Sequence, residues 1–114
     1  MAHFSEETIQ RLRPGLDALP PVERTIEEET LIETRRFRGL TLDMGVGYLE
    51  NLGGERSGET TVVGDGWRAE LSTRTAPVGP SYRLTELEIT WTGDPVVLEP
   101  IIYGFRIKTF RAPG

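Results

Sequence analysis

Two neighbouring stretches in the second half of the chain alternate apolar and polar residues, and this alternation constrains the fold more than any other feature. In 67-WRAELSTRTAPV-78, every second residue up to position 74 is charged or a serine. In 81-SYRLTELEITWT-92, the apolar face consists of Leu87, Ile89 and Trp91. A period of two is typical of a strand with one buried and one solvated face. The sequence therefore predicts an antiparallel sheet with a single apolar face.

Turn signals beside these strands predict consecutive hairpins. The run 59-ETTVV-63 is joined to the first stretch by the glycine-aspartate-glycine turn at 64–66, and Gly79-Pro80 joins the two long strands. Short glycine-rich connections between alternating runs are the usual signal for a hairpin. Leu84 has the opposite parity to Leu87, so we expect a bulge or an edge contact at Leu84.

A helix is predicted over 94-DPVVLEPIIYGFRIKTFR-111. Asp94 is a favourable N-cap residue, and Pro95 suits the first helical position. Pro100 lies within the first two turns, so a bend is expected there. The residues expected to face the core are Leu98, Ile101, Ile102 and Phe105.

The first half of the chain is predicted to contain two further helices and one strand. The stretch 5-SEETIQRLR-13 has a favourable N-cap serine, early acidic residues and late basic residues, so a short helix is expected. Residues 16–29 include two adjacent prolines and are predicted to form a connector. The stretch 30-TLIETRRFRG-39 is predicted to be a strand that ends at its glycine.

The segment 41-TLDMGVGYLENLGG-54 carries apolar residues at helical spacing, and its helix can begin at Thr41 or Asp43. Gly45 and Gly47 each weaken that helix by about 1 kcal/mol. We expect them to allow the helix to pack closely on the sheet.

The predicted order is helix, strand, helix, three or four antiparallel strands, helix. This order favours an α+β fold with one curved antiparallel sheet, helices packed on one face, and an extra N-terminal helix. The domain organisation is predicted as an N-terminal helix and connector over 1–29, followed by a single α+β domain over 30–114.

Composition excludes several classes of function. The 114 residues include no cysteine and one histidine, His3, so thiolate chemistry, a histidine-based triad and a histidine-rich metal site are not expected, and no cofactor is predicted. The net charge of −5 argues against a nucleic-acid partner. No apolar run reaches the roughly 20 residues of a membrane span, and no secretory signal is recognised, so we expect a cytoplasmic protein that binds no membrane.

The chain resembles the C-terminal domain of bacterial MoaD-related proteins, which has a TATA-binding-protein-like fold. The residues that carry the resemblance are 31-LIETRRF-37, 48-YLENLGGE-55, 68-RAELSTRTAPVG-79, 82-YRLTELEI-89 and the final helix. The resemblance covers about three quarters of the chain and implies an association with molybdopterin or sulfur-carrier biology, without a catalytic signature.

In those relatives a ubiquitin-like domain precedes this domain, and this sequence contains no stretch that resembles it. A sulfur carrier of that class ends in a free diglycine, whereas this sequence ends in Pro113-Gly114. We therefore expect that this chain is not adenylated and thiocarboxylated by that chemistry.

The internal Gly53-Gly54 pair can be interpreted as part of a phosphate-binding loop or as the end of a helix. It follows a predicted helix and is not followed by the lysine of a phosphate-binding loop, so we interpret it as a left-handed helix stop.

A group of charged strand residues forms the candidate partner or anion face: Arg35, Arg68, Glu70, Arg74 and Arg83. Guanidinium groups suit carboxylate and phosphate partners. The alternative interpretation is cross-strand ion pairing on a solvated face with Glu33, Glu70, Glu86 and Glu88, and the mixture of signs favours it.

Three functions remain as hypotheses. The first is a non-enzymatic accessory domain that binds a protein partner, or a second copy of itself, through the sheet. The second is an enzyme or small-ligand binder with a cavity between the sheet and the last helix, in which the polar candidates are Arg68, Glu70, Arg74 and Tyr103. The third is weak nucleic-acid or anion binding through the arginine-bearing sheet face.

Overall fold

The computed structural model describes residues 20–77, 79–80 and 83–111, so the predicted N-terminal helix over 5–13 lies outside the described residues. The described chain is α+β, as predicted, with two helices and an open sheet. In chain order its elements are β1 (Glu23–Glu27), β2 (Thr30–Arg38), α1 (Leu42–Asn51), β3 (Glu55–Arg56), β4 (Thr61–Gly64), β5 (Trp67–Pro77), β6 (Arg83–Gly93) and α2 (Pro95–Arg111).

The sheet has six strands in the order β1-β2-β6-β5-β4-β3, and all neighbours are antiparallel. The predicted hairpins β4–β5 and β5–β6 are both confirmed. The β5–β6 register runs from the Trp67–Gly93 pair to the Pro77–Arg83 pair without interruption. Of the bulge or edge contact expected at Leu84, the bulge is therefore wrong, because Leu84 pairs in register with Ala76 and lies on the same face as Glu86.

Two strands were missed by the sequence analysis. β1 lies within the stretch predicted to be a connector, and all five of its residues are exposed, so it has no alternation to reveal it. The β1–β2 turn is formed by Glu28 and Glu29, whose φ angles are 48° and 64°. Sequence rules expect glycine or asparagine at such positions. The two-residue strand β3 pairs with β4 at the opposite edge of the sheet.

Helix α1 begins and ends as its sequence predicts. The Thr41 hydroxyl accepts a hydrogen bond from the Met44 amide at 3.2 Å, which identifies Thr41 as the N-cap. At the other end Gly53 has a φ of 101°, and the Gly54 amide donates to the Leu49 carbonyl at 3.0 Å. The Gly53 amide donates to the Glu50 carbonyl, which completes a Schellman motif. The diglycine is thus a helix stop that turns the chain into β3.

Both helices lie on the same face of the sheet and enclose one core. Its fully buried residues include Leu31, Leu49, Val62, Leu87, Ile89, Trp91, Leu98 and Phe105. Trp91 and Phe105 meet edge to face with ring centroids 5.5 Å apart. A Cβ atom on Gly45 would lie 2.5 Å from a methyl group of Leu87, whereas one on Gly47 would meet nothing within 4 Å. Of these two glycines, only Gly45 is required for close packing of α1 on the sheet.

Helix α2 starts at the predicted cap. The Asp94 carboxylate accepts a hydrogen bond from the Val96 amide at 2.9 Å. Of the predicted core stripe, Leu98, Ile102 and Phe105 are buried and Ile101 is half-buried. These contacts orient α2 along β6 and leave the opposite face of the sheet without a helix among the described elements.

Candidate functional site on the helix-free face of the sheet

The helix-free face is formed by the alternate residues that point away from the core. Ile32 on β2 and Leu84 and Thr92 on β6 lie on this face, and its other polar residues on β2, β6 and β5 are Thr34, Arg36, Arg38, Glu86, Glu88, Thr90, Arg68, Glu70, Ser72 and Arg74. Their assignment follows from the register, since the intervening residues of β6 and β5 are the buried Leu87, Ile89, Trp91, Ala69 and Leu71. The face is mainly polar and lies across the centre of the sheet.

The middle of this face is a ladder of cross-strand polar pairs. Arg36 on β2 donates from Nε to Glu88 on β6 at 2.7 Å, and the hydroxyls of Thr34 and Thr90 lie 2.9 Å apart. Direct opposition of unlike charges and of threonines stabilises antiparallel strands by roughly 0.2–1 kcal/mol per pair. The interpretation of ion pairing on a solvated face therefore describes these residues well.

Glu70 is held by two donors. Arg68 donates to Glu70 Oε1 at 2.7 Å, and the Thr61 hydroxyl of β4 donates to the same oxygen at 2.8 Å. These two hydrogen bonds, that from Arg68 most strongly, lower the pKa of the Glu70 carboxyl. Glu70 is thus kept in its ionised form at the β4 side of the face.

The far end of the face carries one carboxylate between two arginines, here called the Arg38–Glu86–Arg74 triad. Arg38 on β2 and Arg74 on β5 lie 3.7 and 3.6 Å from the two oxygens of Glu86 on β6. The Glu86 side chain is 10% exposed, whereas the side chains of Arg38 and Arg74 are 66% and 50% exposed. Both distances exceed those of a hydrogen bond, so the carboxylate orients the guanidinium groups without engaging their donors closely.

The candidate residues do not all share one face. Arg68, Glu70 and Arg74 lie on the helix-free face. Arg35 does not, because its register partner is the core residue Ile89 and its own side chain is 10% exposed beneath the helices. Arg83 begins β6, and its side chain is not among those described.

A buried charge cluster on the helix side was missed by the sequence analysis, which placed Glu33 on a solvated face. Glu33 is 1% exposed and accepts hydrogen bonds from Arg24 on β1 and from Arg35. Arg24 also donates to Glu99 on α2, so this cluster links the edge hairpin to the helix. Glu99 raises the pKa of Arg24 most strongly, burial lowers it in part, and Glu33 raises it further.

The parity of β2 contained the signal for this cluster. Glu33 and Arg35 alternate in phase with Leu31 and Phe37, which are two of the three apolar residues of the strand, whereas Ile32 has the opposite parity. Residues two apart lie on one face, so an apolar face that contains Leu31 and Phe37 must also contain the two charges between them. A buried ion pair was therefore predictable from the sequence.

The polar residues proposed for a cavity under the last helix are not brought together. Tyr103 lies on α2, where the Arg106 guanidinium carbon is 5.6 Å from its ring centre. Arg68, Glu70 and Arg74 lie across the sheet on the helix-free face.

The described residues also lack a metal site and a membrane-spanning helix. They contain no group of three or more histidine, aspartate or glutamate side chains placed to hold a metal ion. None of the helices described is long and apolar enough to cross a membrane.

The fold and this face define a small open-sheet α+β protein with both described helices on one side. The family model for archaeal MoaD-like proteins matches residues 33–114, and the chain belongs to that family. The match confirms the resemblance to MoaD-related proteins, although the family described is archaeal and the resemblance was drawn to bacterial relatives. Family membership suggests a link to molybdopterin or sulfur-carrier metabolism. No curated protein matches the chain significantly. The likeness to the TATA-binding-protein fold stays a prediction.

Proposed function

We propose that this protein is a non-enzymatic accessory domain that binds a protein partner in molybdopterin or sulfur-carrier metabolism through its helix-free face. The observation that supports this proposal is an exposed sheet face whose side chains are already ordered by mutual pairing. Arg36 and Glu88, and Arg68 and Glu70, hold one another at 2.7 Å while remaining partly exposed. Ordered side chains lose less conformational entropy on binding, which favours association.

The charge of the face favours a protein over a nucleic acid. Its described arginines are Arg36, Arg38, Arg68 and Arg74, and each lies within 4 Å of a glutamate on the same face. A phosphate backbone is bound by cations that are free to neutralise it, and the whole chain carries a net charge of −5. A surface of mixed charge is instead typical of protein surfaces that associate by electrostatic complementarity.

A bulky charge in the middle of the face tests this proposal. Ser72 is exposed and lies opposite Glu88, so Ser72→Arg obstructs the face without entering the core. The matched control is Val96→Arg, since Val96 is 81% exposed in the first turn of α2. We expect partner capture from a native extract, measured by quantitative pull-down, to be lost in S72R and retained in V96R.

Self-association is followed by light scattering on the same proteins. A dimer that S72R alone dissociates identifies a second copy as the bound protein. The proposal is wrong if neither a partner nor a dimer is found, or if S72R and V96R behave alike.

A further inference from the structure

We propose that the Arg38–Glu86–Arg74 triad is the docking point for an acidic protein segment. This inference rests on the proposed function, because it names the chemistry of the partner at one end of the helix-free face. The inference depends on a difference between the four arginines of this face: two are hydrogen-bonded to a glutamate and two are not. Arg36 and Arg68 each donate a hydrogen bond of 2.7 Å to a glutamate of their own.

Arg38 and Arg74 share a single carboxylate. Among the described residues, their recorded contacts are the ion pairs with Glu86 at 3.7 and 3.6 Å. Each guanidinium has five N–H donors. The side chains of Arg38 and Arg74 are 66% and 50% exposed, so among the described residues most of these donors have no partner on the face. The triad carries two positive charges and one negative charge, whereas the Arg36–Glu88 and Arg68–Glu70 pairs are neutral.

The buried position of Glu86 makes the triad receptive to a carboxylate. Its side chain is 10% exposed, while the arginines beside it are at least half exposed, so an incoming anion meets guanidinium groups before it meets Glu86. Glu86 attracts both arginines from below without a hydrogen bond to either, so their N–H donors are not engaged by it. Arg38 and Arg74 stand on strands two positions apart, about 10 Å between backbones, so a segment with several carboxylates can contact both.

The surroundings favour an acidic peptide over a nucleic acid. Among the described side chains of the helix-free face, the positive excess lies at the triad, because Arg36 is hydrogen-bonded to Glu88 and Arg68 to Glu70. A nucleic-acid site requires basic residues that follow the spacing of phosphates over several positions. A local excess of one charge in a chain of net charge −5 suits a short acidic segment instead.

The probe for this proposal is a fluorescently labelled hexaglutamate peptide, with binding followed by anisotropy at low and at physiological salt. Arg38→Gln/Arg74→Gln is compared with Arg36→Gln/Arg68→Gln, which removes the same charge from the same face. We expect the wild type to bind at low salt and the first variant to lose about tenfold or more in affinity. The control is expected to lose less than about threefold, since its arginines are already engaged.

A third variant distinguishes a loss of binding caused by the missing arginines from one caused by misfolding. Removing both arginines leaves Glu86 without a counter-charge, so Arg38→Gln/Glu86→Gln/Arg74→Gln is made as well, and thermal melts confirm that each protein is folded. The triple variant is expected to lose binding like the first. Equal losses in both arginine pairs, no binding by the wild type, or preferential binding of an oligothymidylate would each overturn the proposal. If S72R abolishes partner capture while R38Q/R74Q does not, the triad assignment fails and the proposed function stands.

Discussion

Alanine substitutions at two glycines of α1 should differ in their effect on stability. Gly45 and Gly47 are two residues apart in one helix, so replacing either with alanine gains about 1 kcal/mol of helix propensity. The difference between them lies in what the new methyl group meets. At Gly47 it meets nothing within 4 Å, whereas at Gly45 it lies 2.5 Å from Leu87 Cδ2 and 3.1 Å from Leu71 Cδ2.

The clash at Gly45 is expected to outweigh the gain in propensity. Leu87 is fully buried and Leu71 is 3% exposed, so neither methyl group can move without disturbing the core. Overpacking of this kind costs about 1–3 kcal/mol. Gly47→Ala should therefore stabilise the protein by up to about 1 kcal/mol, and Gly45→Ala should be neutral or destabilise it by up to about 2 kcal/mol.

Urea unfolding of the two variants measures both free energies, with equal m-values as the check that the unfolding transition has not changed. Leu87→Val removes the Cδ2 methyl group that the new Cβ would strike. In that background the Gly45→Ala penalty should shrink, which a double-mutant cycle reports as a favourable coupling. Gly45→Ala that stabilises the wild type as much as Gly47→Ala does would refute the argument that a close helix–sheet contact requires glycine.

Three further predictions concern charged residues. Glu33→Ala should cost about 3–5 kcal/mol in urea unfolding because it leaves buried arginine charge uncompensated, whereas Glu99→Ala, which removes a half-exposed carboxylate, should cost no more than about 1 kcal/mol. Glu28→Asn/Glu29→Gly should raise the melting temperature, since it relieves two positive-φ residues at roughly 1–2 kcal/mol each; an unchanged melting temperature would contradict this. Because the folded-state pKa of Glu70 lies below its unfolded value, its hydrogen bonds stabilise the fold above about pH 4.3. That stabilisation is lost as the pH falls through the lowered pKa, so the stability difference between wild type and Glu70→Gln should disappear in acid denaturation curves.

The sequence predicted the elements whose signal is local. The alternation in β5 and β6, the cap at Asp94 and the glycine stop after α1 all depend on residues close together in the chain, and the structure contains each of them. β1 was missed because its five residues are all exposed, so neither face carries an apolar pattern. Its turn is formed by two glutamates in a conformation that glycine and asparagine usually adopt.

The placement of charges was predicted less well, because it depends on parity relative to the core. Arg35 and Arg36 are adjacent in sequence, yet Arg35 lies under the helices beside Glu33 and Arg36 lies on the helix-free face beside Glu88. Grouping both by their charge alone assigned Arg35 to the wrong face. Phe37 packs against Trp91 in the core, and Arg35, two residues earlier in the same strand, must lie on the same face as Phe37.

The pairing of the charges depends on strand register, which the core sets. Trp91, Ile89 and Leu87 are fully buried, and a slip of one residue in β6 would turn all three towards solvent. The same register places Glu86 opposite Arg38 on one side and Arg74 on the other. Two arginines therefore share one carboxylate on the surface because three apolar side chains fix β6 from beneath. Substitutions that loosen this core should weaken binding of an acidic peptide at the triad even where every charge of the helix-free face is retained.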